Sequence, residues 1–195
     1  VNQANQEGKM GTVGTPADGL LHPILVCGFG NPFRRDDGAG RAVINRLRIR
    51  LGRPLLGPLD DGAEDLGHPV DTLVLHQLLP ELAELIAGYQ LVIFVDAHVG
   101  SLAEPLHEEC IDAVPGASAW VSHQTHPGTL LLLAHQMSGH SPRGVMLSLR
   151  GHDFDFGEGL SPQTEALLPR AVARIEKLVE EARVEGPLHA VQAPV

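Results

Sequence analysis

From residue 24 onward the chain alternates short, wholly apolar runs with stretches in which apolar residues recur every three or four positions. Ile24-Leu25-Val26-Cys27 is a continuous apolar run closed by Gly28-Phe29-Gly30-Asn31-Pro32, the pattern of a strand buried on both faces. Ala42, Val43, Leu47 and Leu51 then fall at helical spacing, with Arg41, Arg46, Arg48 and Arg50 between them, so a helix is predicted over residues 40–50. Residues 52–69 are rich in Gly, Pro and Asp and read as a long surface loop without periodic structure. A second strand is predicted at 72–75. Residues 78–86 read as a helix with Pro80 in its first turn. The run 91–95 is the clearest strand of all, ending in Asp96. A weaker strand or edge segment follows near 104–113. Pro127 suits the first turn of a helix over 128–137 that stops at Ser138-Gly139, residues 145–149 form a further strand, and Ser161-Pro162 opens a helix whose apolar stripe covers 166–183.

This alternation predicts an α/β fold in three layers, a mostly parallel twisted sheet with helices on both faces. In open sheets of this kind the site lies beyond the carboxyl ends of the strands. That rule gathers residues 28–37, the surroundings of Gln77, and Asp96 along one edge. A chain of 195 residues suits one domain. We place it at 22–185, after a disordered or appended tail over 1–21 and before a frayed tail over 186–195.

Composition narrows the function. Acidic residues outnumber basic ones by 24 to 14, for a net charge of -10, which disfavours a phosphate-neutralising surface and argues against nucleic acid as a partner. No apolar run approaches the ~20 residues that cross a bilayer, so membrane insertion is not expected. The two cysteines, Cys27 and Cys110, allow no disulfide framework and suit a reducing cytoplasm. Cys27, inside a buried strand, reads as a small hydrophobe rather than a nucleophile.

The turn after the first strand invites comparison with a dinucleotide-binding G-x-G-x-x-G loop, but Phe33 stands where the third glycine belongs, and Asp36 and Asp37 would repel a pyrophosphate. Those aspartates could also simply cap the coming helix. Asp96 is the most informative single residue, a carboxylate held rigidly at the end of a buried strand, and His98 either lies beside it or faces solvent. Ser122-His123-Gln124-Thr125-His126-Pro127 places two more histidines before a helix. Carboxylates with imidazole suit zinc or nickel. No nucleophile elbow, phosphate loop or H-E-x-x-H helix occurs.

The segment ILVCGFGNPFRRDDGAGRAVINRL, followed in order by HQLLPELAELIAGYQLVIFVDA, SHQTHPGTLLLLA and FGEGLSPQTEALLP, resembles the hydrogenase maturation proteases, the endopeptidases that trim the large subunit of nickel-iron hydrogenases. The resemblance implies a phosphorylase/hydrolase-like α/β fold. It also implies removal of a C-terminal peptide from a nickel-loaded large-subunit precursor, the nickel arriving with the substrate and no organic cofactor being needed. Carried over by position, the metal-meeting and catalytic residues are Asp37, Asp96 and His123. His126 competes with His123 and is also a candidate for touching the substrate, with Gly28, Gly30 and Asn31. The family commonly has glutamate where this chain has Asp37. Metal polarisation and direct carboxylate action both remain open, as do a non-catalytic chaperone or sensor and a general metal-dependent hydrolase with its own zinc.

Overall fold

The computed structural model describes residues 23–100, 102–113 and 125–185. The apolar run at the start of the domain forms β1 (Ile24–Phe29), and α1 (Ala39–Arg50) carries the chain back to β2 (Val70–Leu75), which pairs parallel to β1. After α2 (Leu82–Ile86), β3 (Leu91–Val99) adds to the opposite side of β1. Then come β4 (Leu106–Ile111), α3 (Pro127–Ser138) and β5 (Arg143–Gly151), and the domain closes with the one-turn α4 (Pro162–Glu165) and the long α5 (Leu168–Glu185). The sheet order is β2-β1-β3-β5-β4, parallel except for the antiparallel edge strand β4. The three-layer, mostly parallel α/β expectation holds.

Alternation along the strands divides the core in two. Val26, Ile93, Val95 and Leu147 face α1 and α5 in one cluster, whereas Leu25, Cys27, Val92 and Phe94 meet the buried positions of α2 and α3 in another. Burial pushes the Cys27 thiol up to about 12, as expected of a cysteine that only packs. No helix among the described residues is long and apolar enough to cross a membrane.

Several boundaries differ from the sequence reading, for physical reasons. β3 does not stop at Asp96. It stays paired with β5 through Val99, although β1 leaves it after Val95. Asp96 therefore sits where β3 loses one neighbour and keeps the other. The helix expected over 78–86 begins only at Leu82, because Leu78 and Pro80 form a preceding turn whose carbonyls accept from Thr125 and Ala83. The stripe read as one helix from 166 is broken, with Leu167 N–H bonding three residues back to Thr164 before α5 begins.

Residues 52–69 are not a free loop. Arg48, an α1 residue only 2% exposed, donates to the Pro54 carbonyl, Thr72 Oγ1 and Asp65 Oδ2 at 2.6, 2.8 and 2.8 Å. Asn45 exchanges hydrogen bonds with the Leu56 backbone in both directions. The loop is pinned to the helix it follows, and a 3₁₀ turn, Ala63–Asp65, forms within it.

α1 lies directly on the sheet because glycines meet there. A Cβ on Gly40 would lie 2.6 Å from the Phe29 carbonyl oxygen and 2.7 Å from that of Val95, and one on Gly28 would lie 2.5 Å from the Gly40 oxygen. These neighbours are backbone and cannot rotate aside. Gly40→Ala should therefore cost about 2–3 kcal/mol in urea unfolding despite alanine's better helix propensity, worth only about 1 kcal/mol. A loss below about 0.5 kcal/mol would contradict this packing.

Candidate active site

The carboxyl ends of β1 and β3 diverge into a crevice, and the loop after β1 folds into it. Gly30 has φ 125°, a backbone state open to glycine and strained for other residues. A Cβ there would collide with the Asp37 carbonyl oxygen and stand 3.4 Å from Asp96 Oδ1. The missing side chain lets the backbone pass between the two aspartates. Asn31 N–H donates to Asp37 Oδ2 at 2.9 Å, while the Asn31 side-chain oxygen accepts from Phe33 N–H at 2.9 Å. Asn31 thus orients the Asp37 carboxylate from its own backbone.

Asp36 points the other way and is fully buried. It accepts from the backbone N–H groups of His152, Asp153 and Ser161 at 2.7, 2.9 and 2.6 Å, and from the Ser161 and Thr164 hydroxyls at 2.7 and 2.9 Å. Burial pushes this carboxyl up, but the bonds from His152, Ser161 and Asp153 outweigh it and hold it at about 2. The capping role considered for the acidic pair is not what either residue performs, since no side chain caps α1 or the 3₁₀ turn, Arg35–Gly38, before it. Instead Asp36 fastens the loop after β1 to the segment between β5 and α4. Arg35 takes φ 46°, a left-handed state costing a non-glycine residue roughly 1–3 kcal/mol. It is held there by its N–H to the Gly157 carbonyl and by an ion pair to Asp153, each at 3.0 Å. A Cβ on Gly151 would strike the Phe154 ring and approach Asp36, so glycine leaves room for both.

This fastening presents Asp37 beside Asp96 in an open cleft of about 580 Å³ whose walls include Arg34, His98, Leu102 and Phe154. Burial raises the Asp96 carboxyl to about 7, the charge of Asp37 adding to the rise, while Ala97 N–H, donating to Oδ1 at 2.7 Å, opposes it. A carboxyl poised near neutrality beside a second carboxylate can hold or pass a proton, and the pair offers oxygen ligands to a cation. His98, two residues along the same strand face, lies beside Asp96 rather than facing solvent. Burial and the Arg150 guanidinium lower its pKa, the approach of the Val99 backbone raises it, and His107 lowers it further, with a net fall.

The remaining sequence-derived candidates lie as follows. Gly28 is within β1, packed under α1 rather than open to the cleft. His126 is the exposed N-cap of α3, its Nδ1 accepting from Gly128 N–H at 3.1 Å, and it does not line the cleft. His123 lies outside the described residues. Among the described residues no group of three or more His, Cys, Asp or Glu side chains is placed to hold a metal ion, so Asp37 and Asp96 by themselves are an incomplete ligand set. Sequence reading missed Arg34 and Phe154, which the loop-to-loop contact brings in: Arg34 Nε donates to the Phe154 carbonyl at 3.2 Å and its guanidinium lies over the exposed Phe156 ring.

No protein-family model matches the chain, and no curated protein does. Solved structures do. The hydrogenase maturating endopeptidase HybD from E. coli superposes with a TM-score of 0.57 at 22% identity, over 82% of this chain and 93% of that one. The [NiFe] hydrogenase maturation proteases HycI and HybD from Thermococcus kodakarensis give TM-scores of 0.56 and 0.55 at 21% and 18% identity. HycI covers 82% of this chain and 93% of its own, HybD 80% and 99%. The chain has the fold of the hydrogenase maturation endopeptidases. At such identity the likeness speaks for the fold.

The Asp36 clamp carries a pH signature. Its folded pKa of about 2 lies below the ordinary aspartate value of about 3.9, so its contribution is complete above about pH 4 and fades as pH falls toward 2. Asp36→Asn should lose about 3 kcal/mol at neutral pH, because several buried donors lose their charged acceptor. Urea unfolding should show the gap between variant and wild type narrowing from pH 4 downward. A constant gap across that window would contradict the clamp.

Proposed function

We propose that this chain is an endopeptidase that removes a C-terminal peptide from the nickel-loaded precursor of a nickel-iron hydrogenase large subunit, with Asp37, Asp96 and His123 meeting the metal. The observation that carries the reading is the convergence of Asp37 and Asp96 in one cleft, at the point where β1 and β3 part. The fold shared with endopeptidases of that name supports it.

The chemistry follows from the donor set. Carboxylate oxygens with an imidazole nitrogen suit a nickel(II) ion, and the ion belongs to the substrate. A divalent cation so held polarises a neighbouring carbonyl. Water adds to the carbonyl carbon, the C–N bond breaks, and the water proton passes to the leaving amine, with a carboxylate of the pair in the cleft to carry it. Asp37 is oriented by Asn31, and Gly30 brings the backbone close enough for an extended tail to lie along it.

Incubation of the purified chain with nickel-loaded precursor should shorten the precursor by one C-terminal peptide, read by mass spectrometry. Asp37→Asn and Asp96→Asn should each slow this by roughly 10²–10⁴-fold while leaving the fold intact. Full processing by Asp96→Asn would overturn the site. Tight binding without shortening would make the chain a chaperone or sensor, and stoichiometric zinc in the isolated protein would make it a general metal-dependent hydrolase.

A further inference from the structure

His98 is not explained by the fold or by the carboxylate pair. Its ring lines the cleft that holds Asp37 and Asp96. Both ring nitrogens are buried, and neither makes a hydrogen bond of good geometry among the described residues, the Val99 backbone approaching the ring without completing one. Burying a polar nitrogen without a partner is destabilising, so a histidine kept only for packing normally finds one. On the paired strand its register neighbour is Arg150, whose Nε is also buried and without a partner among the described residues, although the guanidinium reaches the carbonyls of Leu102 and Ala103. Asp96 pairs in register with Ser148, and Ser148 with His107 on β4, so the polar positions of three strands share the sheet face that bears His98.

The chemistry of the unmet groups points to the ligand. A neutral imidazole offers one N–H and one lone pair. A main-chain peptide unit offers the reverse, a carbonyl acceptor and an N–H donor. An anion would instead be repelled by the two carboxylates that share the cleft. We infer that His98 is a substrate-binding residue, its ring nitrogens taking main-chain hydrogen bonds from the peptide segment that lies across Asp37 and Asp96. This rests on the peptidase reading above and adds to it a residue that orients the peptide rather than the metal. His98 stands on the strand face two residues beyond Asp96, so a chain bonded to it is held at a fixed distance from the carboxylates.

The test uses the full chain with His98→Leu, which keeps bulk and removes both polar atoms, and His98→Gln, which keeps a donor and an acceptor. In thermal unfolding of the free protein, His98→Leu should melt at or above the wild-type temperature. A clear fall in its melting temperature would show that His98 is satisfied within the fold and would overturn the inference. With nickel-loaded precursor, His98→Leu should raise KM by about tenfold or more, the loss expected for one or two hydrogen bonds to a bound chain. Its kcat should change less, and His98→Gln should recover most of the loss. Wild-type processing matched by His98→Leu in both KM and kcat overturns the inference and leaves the peptidase reading standing. Failure of the wild type to process the precursor overturns the reading, and the inference with it.

Discussion

Asp36 is a carboxylate taken wholly out of water and surrounded by donors rather than by a cation. Three backbone N–H groups and two hydroxyls converge on it, and hydrogen bonds to the charged form are what make such burial tolerable. The loop after β1 and the segment after β5 are far apart in sequence. Their mutual position is set by this side chain together with the backbone bonds that Arg35 and Asp36 make to Gly157 and Asp153 and the Arg35–Asp153 ion pair. With Asp36 turned inward, the next residue, Asp37, is turned toward the cleft, and Arg35 is carried into a left-handed conformation that its own contacts then hold. Anchor and candidate ligand are adjacent residues with opposite directions and opposite tasks.

The place to which Asp37 is delivered is set by topology. β1 is the strand at which the sheet order turns, with β2 on one side and β3 on the other, so the strands leave a crevice beyond their carboxyl ends. Gly28 and Gly40 let α1 close against the sheet there, and Gly30 lets the chain pass between Asp37 and Asp96. The result is a pair of carboxylates that repel each other, one of them raised toward neutrality. A cation held between them would relieve that repulsion. On the proposed function such a cation comes with the substrate, and the polar edge of β3 beyond Asp96 would give the rest of that substrate a wall to lie along.

Much of this was legible in the sequence, because its main signals are local. The apolar runs of β1 and β3 and the stripe of α1 are periodicities that a strand or helix must show, and Asp96 stands out because five apolar residues precede it. What stayed hidden depends on long-range contacts. Tandem aspartates before a helix read as caps, and nothing near them in the chain reveals that Asp36 bonds to residues more than a hundred positions away. Arg48 reads as one of four arginines interspersed along the helix, yet the loop it pins makes it the buried one. His98 was visible at a spacing of two from Asp96, but that spacing has meaning only if the strand continues, and pairing with β5 is what continues it. Phe154 and Arg34 reach the cleft only through the loop contact. Resemblance to the maturation proteases supplied a functional expectation that no periodicity contains, and the structure has their fold.

The central claim is that Asp37 and Asp96 meet a metal carried by the substrate, and the most direct measurement compares two forms of one substrate. Purified chain should be offered the same large-subunit precursor with and without inserted nickel, and the product masses followed in time. The account predicts loss of a C-terminal peptide from the nickel-loaded form alone. Equal shortening of the nickel-free form would contradict it.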